Sequence, residues 1–156
     1  MCAGCIADLF LVMANYEARK PSYFATPYPQ LVHALHTTLS QILSRPLEER
    51  FAKHHEISRK VKDRIESMGL KQLAKDPADQ ANGMTAIYLP EGVAAAEFLP
   101  GLLKKGVIFD GGLHKQIATK YIRFGHMGVS VTQPERGDID RALDALEERL
   151  VEIKKQ

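Results

Sequence analysis

Tryptophan is absent, and the only two cysteines, Cys2 and Cys5, sit at the extreme N-terminus. Two thiols there cannot form the framework of bridges that staples small secreted domains, and they fit a reducing compartment. Their C-x-x-C spacing has no strand before it and no second pair after it, so it reads as neither a redox motif nor a zinc half-site. Long hydrophobic runs are missing too: the longest, from Leu9 to Ala14, has six residues, whereas a membrane span needs about 20. No basic stretch precedes that run and Asp8 adjoins it, unlike a secretory signal. An intracellular protein with no membrane association is expected. Within the cell the address stays open between cytoplasm, peroxisome and mitochondrion. The closing Lys154-Lys155-Gln156 is not a peroxisomal tripeptide, and no Arg- and Ser-rich transit start is visible. Charge of one sign is scarce: the net charge is +2 and the basic residues are spread along the chain. Nucleic acid is therefore not an expected partner.

What remains is an ordinary globular composition over 156 residues, 45% apolar and 26% charged. A chain of this length buries roughly 70% of the surface its unfolded form exposes. Helical periodicity is the clearest pattern. Leu31, Leu35, Leu39 and Ile42 draw one stripe on a helix expected over residues 27–44, with Thr26 as its N-cap and Pro27 at its first position. After Pro46, the residues Leu47, Phe51, Ile57, Val61, Ile65 and Met68 predict a second long helix. Glu48 and Glu49 fall in its first turn and Gly69 just past its end. Asp76-Pro77 and Asn82-Gly83 mark turns. Short strands are expected over 84–89, over 107–109 reaching Asp110-Gly111-Gly112, and over 121–126. A helix over 93–105 should kink or restart at Pro100-Gly101, and a terminal amphipathic helix should run from Asp138 as N-cap. This pattern predicts an α+β layer, a short sheet covered on one face by helices. The two long helices exceed such a sheet and would need a further surface to lie on.

The usual catalytic signatures are missing. Six histidines are present, but no H-E-x-x-H set completes a metal site, and they read as surface or rim residues. There is no G-x-S-x-G elbow, no Walker pattern and no G-x-G-x-x-G after a strand. Two spots remain. Tyr23 and Thr26 put two hydroxyls where a helix begins. Unpaired N–H groups there favour a phosphate, although Thr26 can equally serve as a cap and Tyr23 as packing. Arg123 lies inside a short apolar strand and must find an anionic partner or reach water. Its planar fork suits a carboxylate, either a ligand's or that of a structural salt bridge.

The stretch Tyr23-Phe24-Ala25-Thr26-Pro27 with Gln30 to Leu35, together with Arg123-Phe124-Gly125-His126-Met127-Gly128, resembles the C-terminal part of class V pyridoxal-phosphate aminotransferases. The type is alanine–glyoxylate or serine–pyruvate, and the similarity runs from about Met13 to Lys155. The resemblance implies the small C-terminal domain of a fold-type I enzyme, with a short, mostly antiparallel sheet covered by helices and preceded by a long connecting helix. Residues 1–12 would be a start unlike the family, 13–45 the tail of the large domain with the connecting helix, and 46–156 the small domain. It further implies that Arg123 binds the substrate carboxylate and that Tyr23 and Thr26 reach the cofactor phosphate across a homodimer interface. The substrates would be a small amino acid and a 2-oxo acid. The family's Schiff-base lysine lies well before the Tyr-x-x-Thr-Pro step, and Lys20, the one lysine preceding Tyr23, is too close to serve. Pyridoxal phosphate is thus expected in the complete family enzyme but not covalently on this chain, which alone should be inactive. The other reading is a non-catalytic dimerisation or interaction module, derived from the small domain, that associates with itself or with a full-length paralogue.

Overall fold

The computed structural model describes residues 13–20 and 28–155. They divide into two compact units with the boundary between Ser44 and Arg45. In the first unit the main element is α1 (Pro29–Leu43). Tyr28 occupies its N-cap position and Pro29 opens the helix, so the proline at the helix start is Pro29 and not Pro27. Thr26 and Pro27 lie outside the described residues. No residue of α1 is buried: of the expected stripe Leu31, Leu35 and Leu39 are exposed and Ile42 is half-buried, and Val32 and Leu43 are exposed beside them.

The second unit begins with α2 (Leu47–Ser67), which follows Pro46. Then come β1 (Met84–Tyr88), α3 (Ala95–Lys104), β2 (Asp110–Gly111), β3 (Tyr121–Gly125), the single turn α4 (Val129–Thr132) and α5 (Asp138–Lys154). The sheet is antiparallel with strand order β1-β3-β2. Strand alternation decides what faces where. Thr85 and Ile87 of β1, paired opposite Phe124 and Ile122 of β3, are buried. Arg123 points the other way, with Ala86 opposite it on β1 and Asp110 opposite it on β2.

The inward face packs on three helices, forming one core from Val61 and Ile65 of α2, Phe98 and Leu102 of α3, and Leu143, Leu146 and Leu150 of α5. At about 25 cal/mol per Å2 of apolar surface removed from water, each such side chain stabilises by roughly 1.5–3 kcal/mol before entropy is counted. Phe109 stacks on Phe124 at 4.6 Å between ring centres.

Three sequence expectations need correction. Residues 107–109 form no ladder, because the Val107 N–H donates to the Leu102 carbonyl at the end of α3; pairing starts only at Asp110. Pro100 does not restart α3, which runs unbroken through Pro100-Gly101. Asp138 is the first helical residue of α5 and not its cap: Gly137, in the left-handed region at φ 66°, takes that place. The Asp138 carboxylate instead accepts from Ser130 Oγ at 3.0 Å and Arg136 Nε at 2.7 Å, and these donors hold it below the usual carboxylate range.

Candidate functional site

Arg123 occupies the middle of the central strand on the face away from the core. Its Nε donates to the Gly111 carbonyl at 2.7 Å and its Nη2 to Asp110 Oδ2 at 2.8 Å. The side chain is 24% exposed, that of Asp110 79%. The guanidinium is thus held along one edge by β2, while Nη1 makes no hydrogen bond among the described residues. A carbonyl and a carboxylate on the lateral edge leave the terminal edge as the place where a further carboxylate can be gripped by two parallel N–H bonds. The salt bridge that Arg123 needs on physical grounds therefore exists within the chain, with a partner that stands largely in water.

The loop after β2 frames this face. Tyr121 Oη accepts from the N–H groups of Leu113 at 2.8 Å and His114 at 3.1 Å, closing the loop over the start of β3. These donors favour the phenolate and lower the Tyr121 pKa from its ordinary value. Gly112 is required here, since an added Cβ would lie 2.5 Å from the Tyr121 ring and 2.6 Å from the Ala118 carbonyl oxygen. Tyr23 and Thr26, the other expected site residues, lie outside the described residues.

One histidine, His126, departs from the surface-or-rim reading, and a second, His54, sits at the rim. His126 has no exposed surface. Its Nε2 is 2.8 Å from the Thr85 hydroxyl, and its ring meets Phe124 edge-on at 5.6 Å. Burial, the largest cause, with Lys62 and His54 nearby, pushes its pKa down to about 4. His54 is half-buried on α2: Nδ1 lies 2.7 Å from the Arg50 carbonyl and Nε2 accepts from the Gly128 N–H at 3.2 Å. That geometry requires the neutral ring protonated on Nδ1 and ties α2 to the segment following β3. The signal for His126 was in the sequence. Ile122, Phe124 and His126 alternate, so the histidine continues the inward row.

The donor set around Arg123 does not fit pyridoxal phosphate by itself. Arg123 can hold a carboxylate, but Ala86, Gly111 and Asp110 offer no amine for an imine, and Asp110 is already engaged as the arginine's partner. A broad open groove of about 780 Å3 lies elsewhere, between α2 and α5, lined by His55, Glu56, Arg59, Lys60 and Asp63 among others. Its rim is crossed by ion pairs such as Lys60–Asp140 at 2.6 Å. The groove is lined almost wholly by α2, with Leu143 the one contribution from α5, and it lies on a different part of the unit from Arg123.

This small antiparallel sheet, backed by helices and preceded by a long helix, is the architecture of the small domain of the pyridoxal-phosphate aminotransferases. It matches the alanine–glyoxylate aminotransferase of Nostoc sp. with a TM-score of 0.77 and 24% identity, covering 89% of this chain and 36% of that one. It matches the pyridoxamine–pyruvate aminotransferase of Mesorhizobium loti with a TM-score of 0.75 and 25% identity, covering 88% and 34%. In sequence it is 40% identical over 121 residues to alanine–glyoxylate aminotransferase 1 of Saccharomyces cerevisiae, covering 76% of this chain and 31% of the relative. It is 32% identical over 105 residues to the serine–glyoxylate aminotransferase of Hyphomicrobium methylovorum, covering 67% and 26%. The chain belongs to the class V aminotransferases of the alanine–glyoxylate and serine–glyoxylate type, and it spans about a third of the length of the curated relatives it matches. No model of a known protein family matches it. Among the described residues no helix is long and apolar enough to cross a membrane.

Proposed function

We propose that this chain is the C-terminal segment of a pyridoxal-phosphate-dependent transaminase that moves an amino group between a small amino acid, alanine or serine, and a 2-oxo acid, glyoxylate or pyruvate. Residues 13–45 are the tail of the large domain with the connecting helix, and residues 46–156 the small domain. Arg123 receives the substrate carboxylate on its terminal edge, while Tyr23 and Thr26 close the phosphate cup across a homodimer interface. The single observation that carries the reading is the position of Arg123: a guanidinium pinned along one edge by β2, on the sheet face away from the core. The names of the relatives supply the substrate class. In a complete enzyme the cofactor supplies the electron sink, and this chain's part is to bind and orient the carboxylate. Alone it is inactive.

The test supplies what the chain lacks. The yeast relative is produced without the stretch that matches this chain, the chain is added, and pyruvate is followed from alanine and glyoxylate. Activity is expected on mixing and should fall by about a hundredfold with Arg123→Gln, the scale of a lost charge-assisted pair worth roughly 3 kcal/mol. Equal activity with Arg123→Gln overturns the role of Arg123. A stoichiometric pyridoxyl adduct on one lysine, after the chain alone is treated with the cofactor and borohydride, overturns its inactivity.

A second reading, a non-catalytic module that pairs with itself or with a full-length paralogue, is favoured by the exposed leucine stripe of α1.

A further inference from the structure

Asp110 stands directly opposite Arg123 in the β2–β3 register, and no connecting loop has to close for their ion pair to form. The guanidinium is oriented independently of it, because Nε is anchored on the Gly111 carbonyl at 2.7 Å. The carboxylate of Asp110, at 79% exposure, is therefore not needed to place the arginine. What it adds is a negative charge 2.8 Å from Nη2, beside a cation only 24% exposed.

We propose that Asp110 is the residue that sets the strength and charge selectivity of the Arg123 carboxylate site. The inference rests on the reading of Arg123 as the carboxylate holder. An incoming carboxylate that takes the free terminal edge comes within a few ångströms of the Asp110 oxygens, against a guanidinium that is itself only 24% exposed although Asp110 stands largely in water. Like charges at that range repel appreciably. The site thus tolerates one negative charge at moderate affinity. A ligand carrying a second carboxylate feels the Asp110 field on both groups and is disfavoured further, so the site is tuned to 2-oxo and amino acids with uncharged side chains. Asp110 acts through its charge on the Arg123 site and is a selectivity residue, not a catalytic one.

The test uses the full chain, 15N-labelled, and follows the Arg123 Nε–H resonance, assigned by its loss in Arg123→Lys. Glyoxylate, with one carboxylate, and 2-oxoglutarate, with two, are titrated in turn. Asp110→Asn keeps an oxygen that can accept from Nη2 and removes the charge. It should tighten glyoxylate binding roughly three- to tenfold and 2-oxoglutarate binding by a larger factor. Asp110→Glu should restore the original affinities, and the backbone amide spectrum should show the sheet intact in both variants. If Asp110→Asn binds glyoxylate no tighter while Arg123 still responds, the proposal falls and the carboxylate site stands. If both ligands gain by the same factor, the selectivity falls. If the Arg123 resonance responds to neither ligand in any of these proteins, the carboxylate reading falls and takes the proposal with it.

Discussion

His126 is a titratable ring sealed in the core, with one nitrogen on Thr85 and the other, Nδ1, without a partner among the described residues. Folding therefore selects its neutral form. Unfolded, the ring takes a proton near pH 6.5; folded, it does so at about 4. Between those values the unfolded chain holds the extra proton, so stability declines as pH falls from 6.5 to 4 and levels off below. The loss approaches about 3 kcal/mol at 1.36 kcal/mol per unit of displacement. Urea midpoints at pH 7 and pH 4.5 measure it, and His126→Asn should remove most of the difference. The carboxylates Asp138 and Glu152 have lowered pKa values and add their loss only at the acid end of this range. At this scale Arg123 was readable, since a charge in an apolar strand demands an acceptor. Its acceptor was not, because Asp110 comes opposite it only through the register of β2 on β3.

Helix ends illustrate how much of an element local chemistry dictates. Gly69 and Gly106 both take the left-handed region at φ 78°. At each, the next N–H reaches back to the last buried turn: Leu70 to the Ile65 carbonyl at 3.2 Å, and Val107 to that of Leu102 at 3.2 Å. An apolar contact accompanies each such end, and Gly69 could be read from sequence for that reason. The same chemistry explains the failure over residues 107–109, whose apolar pattern suits a strand but whose first amide is already spent on α3. The interior of α3 was illegible for a different cause. Arg149 of α5 lies across Gly101, donating from Nη2 to the Glu97 carbonyl at 2.9 Å and sitting 5.8 Å above the Phe98 ring. A Cβ at Gly101 would collide with that guanidinium. Gly101→Ala gains about 1 kcal/mol of helix propensity but expels a charge-assisted hydrogen bond worth about 1.5–3 kcal/mol and a cation–π contact of about 0.5–1 kcal/mol. A net loss of about 1–3 kcal/mol is expected by thermal unfolding. In an Arg149→Ala background the same substitution should stabilise instead, and the absence of that reversal would refute the packing argument.

For the molecule as a whole, every core side chain among the described residues belongs to residues 45–156, whereas α1 buries none of its own. A chain beginning at Arg45 should therefore unfold cooperatively with a midpoint within about 3 °C of the full chain, the shift expected for less than about 0.5 kcal/mol. By light scattering the full chain should form dimers through the α1 stripe and the shortened one should stay monomeric; equal assembly by both would place the contact elsewhere. The sheet limits what else this unit can join. Beyond β1 the strand-like segment 71–73 already supplies partners, with the Tyr88 N–H bonded to the Lys71 carbonyl at 2.8 Å and the Leu73 N–H to the Ala86 carbonyl at 2.9 Å. The opposite border is a strand of two residues that ends at Gly111. With one border already occupied and the other too brief to template a foreign strand, the sheet resists being extended into ribbons or fibres, and whatever it recruits must be gripped by side chains.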